Sequence, residues 1–384
     1  MEKTDLVVVG GGFIGLASAI AIAERGSKVV LLERGLPGAA NSVSAPGGIR
    51  QQFGTELNIR LAQLSAQTWN SFGERYGVDP LFRRCGYLFL ARSERNAVTL
   101  QAQVRLQNSL GVDSEFLNSD EIARRWPILA GRGFVAAGFR GADGWTNQHR
   151  IVDGLVRGAL AAGVDLRVGT AALQIEMMGG RVVGVTTTGG RVLTDAALIA
   201  NGAWAASLLA PLDLAVPVVG RRHELLIVEP ADKLLAELPW LIGVDDAVHV
   251  RGDVAGRALV GGFLGEDQQV DPDAYNIRAD AGWTRAVLEA AERVFGVVGP
   301  SARVRDGWAG LYPGTPDRHP IIDRLAEGLY VSVGFAGTGL MLSPAAGTLA
   351  AELIADGGIQ SVDPTTLSAD RFRGAHQSME ATGF

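Results

Sequence analysis

Cysteine is almost absent from this chain: Cys85 stands alone among 384 residues. A single thiol excludes an internal disulfide framework and suits a reducing, cytoplasmic setting. Long apolar runs are lacking too. None reaches membrane-spanning length, and the first strand-like segment starts by Leu6, leaving no room for a signal peptide. Basic clusters are also missing. The net charge is −6 and no five basic residues follow one another, which argues against a nucleic-acid partner. The histidines His149, His223, His249, His319 and His376 are scattered without metal-ligand spacing, so no metal is expected. Internal repeats and low-complexity tracts are absent, and only the last dozen or so residues read as loosely held.

What the chain has in excess is glycine. Its 51 glycines fall singly or in short runs between apolar segments with no triplet period, so they mark turns in a folded chain. With 47% apolar residues, a chain of this length supports two domains.

The amino terminus carries the sharpest local signal. "DLVVVGGGFIGLASAIAIAERGSKVVLLER" reads strand, glycine turn, helix, glycine stop and second strand, with Gly10, Gly12 and Gly15 spaced G-x-G-x-x-G. Gly10 permits the tight turn, Gly12 lets backbone approach a pyrophosphate, and Gly15 permits close packing of helix on strand. The helix start offers free N–H groups to phosphates. Glu33 ends the second strand 18 residues after Gly15, where a carboxylate can accept from a ribose. Such a unit binds a dinucleotide or is a βαβ unit with structural glycines.

NAD and FAD share this element, and the next segment separates them. "GLPGAANSVSAPGGIRQQFGTE" is a long loop of small residues before a helix at about 56–76, suited to lie along an extended cofactor and a flat ring. Near the other end, "GFAGTGLMLSPAAG" makes a second glycine turn into a helix. Its N–H groups from about Gly339 to Leu342 can face a pyrimidine carbonyl and stabilise charge on a reduced ring.

Between these ends, "CGYLFLARSE", "GFVAAGFRGADGWTN", "VPVVGRRHELLIVEP" and "AVHVRGDVAGRALVGGFLG" read as strands of a mainly antiparallel sheet. "RIVDGLVRGALAAGVDLRVG" reads as helix then strand, and "RVLTDAALIANGAWAASLLAPL" as a buried strand ending at Asn201-Gly202 before another helix. The expected fold is α/β (α+β): a discontinuous Rossmann-like cofactor domain from roughly 1–80, 146–215 and 303–384, with an antiparallel-sheet substrate domain from 81–145 and 216–302.

In this order, "GGGFIG" with Glu33, "GGIRQQFGTE", "ALIANGAWA", "GWAGLYPGTPDRHPIID" and "GFAGTGLMLSPAAG" resemble the D-amino-acid oxidase superfamily of FAD enzymes over essentially the whole chain. The resemblance is narrower to the group of sarcosine oxidases, glycine oxidases and proline dehydrogenase β-subunits. It implies oxidation of a C–N bond: hydride leaves the carbon next to a neutral amine for flavin N5, and the imine then hydrolyses. The residues it places on FAD are Gly10, Gly12, Phe13, Ile14 and Gly15 in the first turn, and Glu33 and Arg34 after the second strand. Ser42, Ser44, Gly47 and Gly48 follow in the loop, with Ala172, Asn201 and Gly202 from the middle of the chain. Gly310, Gly337, Thr338, Gly339, Leu340 and Met341 complete the set at the flavin end.

A site for this chemistry must hold an amino-acid carboxylate with a cation and present the C–H to the ring. Arg50 in "GGIRQQF" matches a substrate-binding arginine of sarcosine oxidases, and its planar fork suits a carboxylate; pairing with Glu56 or with cofactor phosphates is the alternative. Glycine oxidases carry arginines where this chain has Tyr312 and Gly337, which speaks against glycine as substrate. Sarcosine oxidases carry a lysine where Met341 stands, so a larger or less polar amine fits. Tyr312 lines the site or packs in the core. Arg50, Tyr312 and Met341 are thus the catalytic candidates.

Relatives attach FAD through a cysteine where Gly310 stands or a histidine where Ser44 falls, so FAD is expected to be noncovalent, with Cys85 a small packed residue. Sarcosine-type oxidases carry a lysine near the apolar Leu259, and its absence points to a dehydrogenase passing electrons to a partner or quinone. Resemblance to multicomponent proline or opine dehydrogenases implies partner subunits. Alternation puts Arg221 and His223 on one face, which is read as a solvated cationic edge, with meeting the substrate as the alternative; His249 is structural or pocket-facing, and Asp317 and Asp323 bracket a turn. The expected substrate is a secondary or N-substituted amino acid such as sarcosine, proline, dimethylglycine or an opine. The alternatives are a 2-hydroxy acid, whose enzymes carry a histidine-rich motif missing here, and a noncatalytic FAD-holding assembly protein.

Overall fold

Every side chain of the first strand, Leu6–Val9, is buried, as in a parallel sheet covered on both faces. The structure is a computed structural model and describes residues 3–229, 237–253, 256–265, 269–298, 302–373 and 379–380. His376 lies outside the described residues.

Leu6–Val9 sits inside a six-stranded sheet ordered Ile321–Ala326, Leu329–Val333, Ala197–Ile199, Leu6–Val9, Val29–Glu33 and Asp165–Val168. All neighbours are parallel except the first pair. The helix Phe13–Ala23 packs beneath, against the late helix Gly339–Ala355. Their contact is close because a Cβ on Gly347 would stand 2.6 Å from the Ala17 carbonyl oxygen. Pro344 lies within the late helix, and the next amide, Ala345 N–H, donates to Ser65 Oγ of the helix Glu56–Tyr76 at 3.1 Å.

A second, eight-stranded sheet follows the order Arg303–Gly314, Val219–Glu229, Ala258–Gly262, Val248–Gly252, Trp240–Gly243, Tyr87–Ala91, Ala136–Arg140 and Glu115–Asn118. Its single parallel contact joins Trp240–Gly243 to Tyr87–Ala91. The chain is therefore a mixed α/β fold with a Rossmann-like sheet assembled from distant segments and a sheet-rich second layer. The strand Arg303–Gly314 runs in this second sheet along Val219–Glu229, and its Gly310–Pro313 end reaches the glycine turns of the first.

Period-two alternation divides the large sheet. Leu226, Val228, Val248, Val250, Ala258 and Val260 point outward, under the helix Ala281–Phe295. Tyr87, Phe89, Leu225, Trp240 and Leu259 point inward with Trp145. Directly opposed residues share a face, so the pairs Arg251↔Leu259, His249↔Gly261, His223↔Gly310 and Arg221↔Tyr312 belong to the inward side.

The carboxyl-terminal residues are not uniformly loose, contrary to the sequence expectation. Glu380 is buried and accepts from Gly54 N–H, Thr55 Oγ1 and Asn58 Nδ2 at 2.9, 2.9 and 3.1 Å. A carboxylate there meets the free donors at the start of Glu56–Tyr76.

Candidate active site

An elongated cleft of about 480 Å³ runs between the two glycine turns. At one end the strand Leu6–Val9 turns at Gly10, whose φ of +109° a side chain rarely adopts. The helix ladder opens with Leu16 N–H to Gly12 O at 3.0 Å, so the N–H groups before it lie outside the ladder. Phe13 N–H is met by Ser42 Oγ at 3.2 Å. A Cβ on Gly15 would fall 1.8 Å from Gly10 O, which makes this glycine a packing requirement behind the cleft.

Gly10, Gly12, Phe13, Ile14, Glu33 and Arg34 line this end. The Glu33 carboxylate accepts from Gly11 N–H and Gly35 N–H, both at 2.7 Å, which fixes its two oxygens at the end of the strand. Arg34 lies over the Trp204 ring, 4.1 Å from its centroid, and Arg34 and Trp204 both donate to Asp273, at 2.9 and 2.8 Å. Asp273 thereby ties the segment after the large sheet to the nucleotide end. Ala172, Asn201 and Gly202 line the middle. The Asn201 Oδ1 is buried with no hydrogen-bond partner among the described residues, an acceptor that a bound hydroxyl would satisfy.

Ser42 and Ser44 line the loop side, and Gly310 abuts Ser44, where a Cβ on Gly310 would stand 3.0 Å from Ser44 Cβ. Trp308 Nε1 donates to Ser44 O at 3.0 Å, and Leu311 N–H donates to Asn41 Oδ1 at 3.1 Å. These two contacts pin the loop to the large sheet. Sequence reading passed over Trp308 and Asn41, although alternation in "GWAGLY" places Trp308, Gly310 and Tyr312 on one face.

Gly337, Gly339 and Leu340 line the far end with Tyr312. Leu342 N–H is already used, donating to Thr338 O at 3.0 Å, so the free donors stop before Leu342, one residue short of the expectation. Thr338 Oγ1 caps back onto Phe335 O at 2.6 Å and does not line the cleft. Met341 is buried in the core, and its carbonyl accepts from Trp69 Nε1 at 2.9 Å. Gly47 and Gly48 sit behind the loop: a Cβ would approach Thr146 O to 2.2 Å at Gly47 and Tyr87 Oη to 2.1 Å at Gly48.

Arg50 follows the short strand Gly48–Ile49, which pairs with Gly144–Trp145. Its guanidinium is 2% exposed, donates to Gln52 O and lies over Phe53 and Phe89, 4.1 and 5.4 Å from the ring centroids. Glu56 pairs with Arg60 instead. Buried Asp143, paired with Arg140 at 2.7 Å, accepts from Gln51 N–H and Gln52 Nε2 and so holds the chain just after Arg50. Burial outweighs these partners and raises the Asp143 carboxyl above its ordinary value. Burial pushes the Tyr312 phenol up to about 12, with the Arg50 charge drawing it down. Tyr312 lines the cleft, whereas Arg50 is not among its lining residues.

His223 is not a solvated edge. Its ring packs on Tyr312 and Phe263 with centroids 4.3 and 4.8 Å apart, because the strand's inward face is covered by its neighbours. His249 also faces inward and accepts at Nδ1 from Trp240 Nε1 at 3.3 Å; burial, with Arg251 and His223, lowers it to about 3, leaving a neutral ring. A Cβ on the opposed Gly261 would come within 2.4 Å of that ring. Burial raises the half-buried Cys85 thiol. Asp317 is a turn residue, as expected, and also pairs with Arg371. Among the described residues no helix is long and apolar enough to cross a membrane.

Two glycine turns joined by one cleft, with the Gly310–Pro313 end of the large sheet lining it, define a dinucleotide-dependent oxidoreductase scaffold. The chain belongs to the DAO family of FAD dependent oxidoreductases, which it matches over residues 5–353. It is 28% identical over 395 residues to a 4-methylaminobutanoate oxidase (formaldehyde-forming) of Paenarthrobacter nicotinovorans, covering 97% of this chain but 46% of that protein, so it spans less than half of that relative's length. A glycine oxidase of Geobacillus kaustophilus is 28% identical, covering 92% of this chain and 93% of that protein. The crystal structure of L-proline dehydrogenase from P. horikoshii superposes with a TM-score of 0.88 at 26% identity, covering 97% and 98% of the two chains. The cleft fits the family's cofactor: Gly10 and Gly12 leave a backbone cradle without side chains, and Asn201, whose Oδ1 is orphaned, is among the lining residues.

Proposed function

We propose that this chain oxidises the C–N bond of a secondary or N-substituted amino acid, using noncovalent FAD held by the glycine turns. The observation that carries this reading is the far end of the cofactor cleft, where Tyr312 packs against the Gly337 turn, with a buried guanidinium, Arg50, just after the loop glycines Gly47 and Gly48. An arginine fork recognises a carboxylate, and a protonated phenol donates a further hydrogen bond to it. The names of two relatives agree in chemistry, since 4-methylaminobutanoate and L-proline each carry a secondary amine and a carboxylate.

FAD, when bound, supplies the acceptor for the hydride from the carbon beside the amine. The chain's own groups orient and desolvate. Arg50 holds the carboxylate, Tyr312 walls the pocket with Phe263 packed against it, and neutral His249 adds no charge to the amine's surroundings. Met341 contributes no second cation, which leaves room for an alkyl substituent on nitrogen. No strong base is needed when the amine binds deprotonated. Ser44 and Gly310, which abut at the loop, offer no nucleophile for attachment of the ring. Apolar Leu259 favours a partner protein or quinone over oxygen as electron acceptor.

Anaerobic titration of the purified protein with sarcosine, dimethylglycine, L- and D-proline, glycine, an opine and 2-hydroxyglutarate tests the reading. Bleaching of flavin absorbance by an N-substituted amino acid supports it, and the rate of recovery in air separates oxidase from dehydrogenase. Bleaching by 2-hydroxyglutarate alone, or by nothing, sinks it.

A further inference from the structure

Among the described residues two arginines are buried, Arg50 and Arg251, at 2% and 7% exposure. Arg251 forms no ion pair among the described residues. Its Nη2 donates to Pro46 O at 3.1 Å and its Nη1 to Gly252 O at 3.3 Å, while its Nε is buried without a partner. The guanidinium lies 4.0 Å from the Trp145 ring centroid and 5.4 Å from that of Trp240. The carboxylate that draws on it most, Asp253, pairs with Arg257 at 3.1 Å, so one carboxylate serves two guanidiniums. Burial lowers Arg251 to about 10, so it remains a cation at neutral pH.

A buried charge that shares its nearby carboxylate with a second guanidinium is costly unless something anionic completes it. Carbonyl oxygens and indole faces soften that cost without neutralising the charge. The bonded Pro46 follows Ala45, which lines the cofactor cleft, so the cation reaches the loop that lines that cleft. Burial and the Pro46 bond fix it there.

We propose that Arg251 is an electrostatic positioning residue whose fixed charge favours the two-electron reduced, anionic state of the flavin. This rests on the FAD reading above. Reduction would add two electrons and one proton to the ring and leave it with one negative charge, for which Arg251 would supply a compensating field without itself moving a proton. A unit charge at about 10 Å in an effective dielectric of about 20 shifts such an equilibrium by roughly an order of magnitude.

The test is the reduction equilibrium of the FAD-loaded protein against a reference dye, with no amine substrate present. Arg251→Gln is expected to lower the reduction equilibrium constant about tenfold, equal to ~30 mV for a two-electron couple. Arg251→Lys keeps the charge and is expected to stay within about threefold of wild type. Equal shifts in both variants, or a Gln variant that binds FAD yet matches wild type, overturn the assignment. Loss of FAD from both variants overturns it in favour of a pin for the Pro46 loop. A wild-type protein that takes up no FAD overturns the cofactor reading itself, and this assignment with it.

Discussion

Gly337 lies face to face with Tyr312: a Cβ built on Gly337 would come within 2.5 Å of Tyr312 Cε2 and 2.6 Å of Cδ2. The glycine also has φ +86°, where L side chains are strained. The late glycine turn and the last strand of the large sheet are therefore fitted to one another at the pocket. Gly337→Ala is expected to lower stability by about 1 kcal/mol or more and to displace the Tyr312 ring. Thermal unfolding and substrate saturation check this. An alanine variant with wild-type melting temperature and KM would show that the ring has room to move.

Tyr312 is expected to contribute a hydrogen bond and no proton. Its phenol, pushed up to about 12 by burial, stays protonated through the working range. Tyr312→Phe should reduce kcat/KM by about ten- to a hundredfold, the loss of one hydrogen bond to a charged group. The apparent pKa on the rising limb of the pH profile should not move, because that limb reports deprotonation of the substrate amine. A profile whose limb disappears in the phenylalanine variant would assign the proton to Tyr312.

On the proposed function, Arg50 holds the substrate carboxylate. Truncating one partner of a buried, hydrogen-bonded charge pair costs about 2–5 kcal/mol, or roughly thirty- to several-thousandfold in kcat/KM. Arg50→Met is expected to show that loss with its flavin spectrum retained, and Arg50→Lys to recover only part of it, since a single ammonium lacks the fork. Retained kcat/KM in the methionine variant would remove Arg50 from the binding site.

The glycine turn at Gly10–Gly15 was legible because its spacing is local and each glycine answers one steric demand. The inward face of the large sheet was legible only as a pattern. Alternation pairs Arg221 with His223, but whether that face meets water depends on Phe263 and Tyr312, which arrive from strands 40 or more residues later in the chain. Arg251 carries no motif, and its meaning comes from burial and from a carboxylate, Asp253, that it shares with Arg257. Glu380 is harder still. Nothing in a tail of mixed polarity announces that one carboxylate folds back more than 320 positions to meet Gly54 N–H. The helix Ala281–Phe295 covers the outer face of the large sheet, and its apolar stripe was passed over beside the stronger strand signals.

Asp317 links that carboxyl-terminal region to the Arg50 loop. Arg371 Nε and Nη2 donate to its two oxygens at 2.8 and 3.1 Å, His319 N–H donates at 3.1 Å, and His319 Nε2 lies 2.9 Å from Thr55 Oγ1. Burial alone would raise the Asp317 carboxyl; the His319 and Arg371 hydrogen bonds outweigh it and hold the group well below its ordinary value. A depressed folded-state pKa contributes stability that is fully present above the unfolded value of about 3.9 and is lost as pH falls toward the folded value. Asp317→Asn, which removes the charge opposite buried Arg371, should cost about 3 kcal/mol or more at neutral pH. The gap between wild type and variant should stay constant from about pH 5 to 8 and close below about pH 4 as the unfolded wild-type chain takes up its proton first. Urea unfolding across that range measures it. A gap below about 1 kcal/mol at pH 7, or one that persists unchanged at pH 3, would mean that the Arg371 pair is energetically silent.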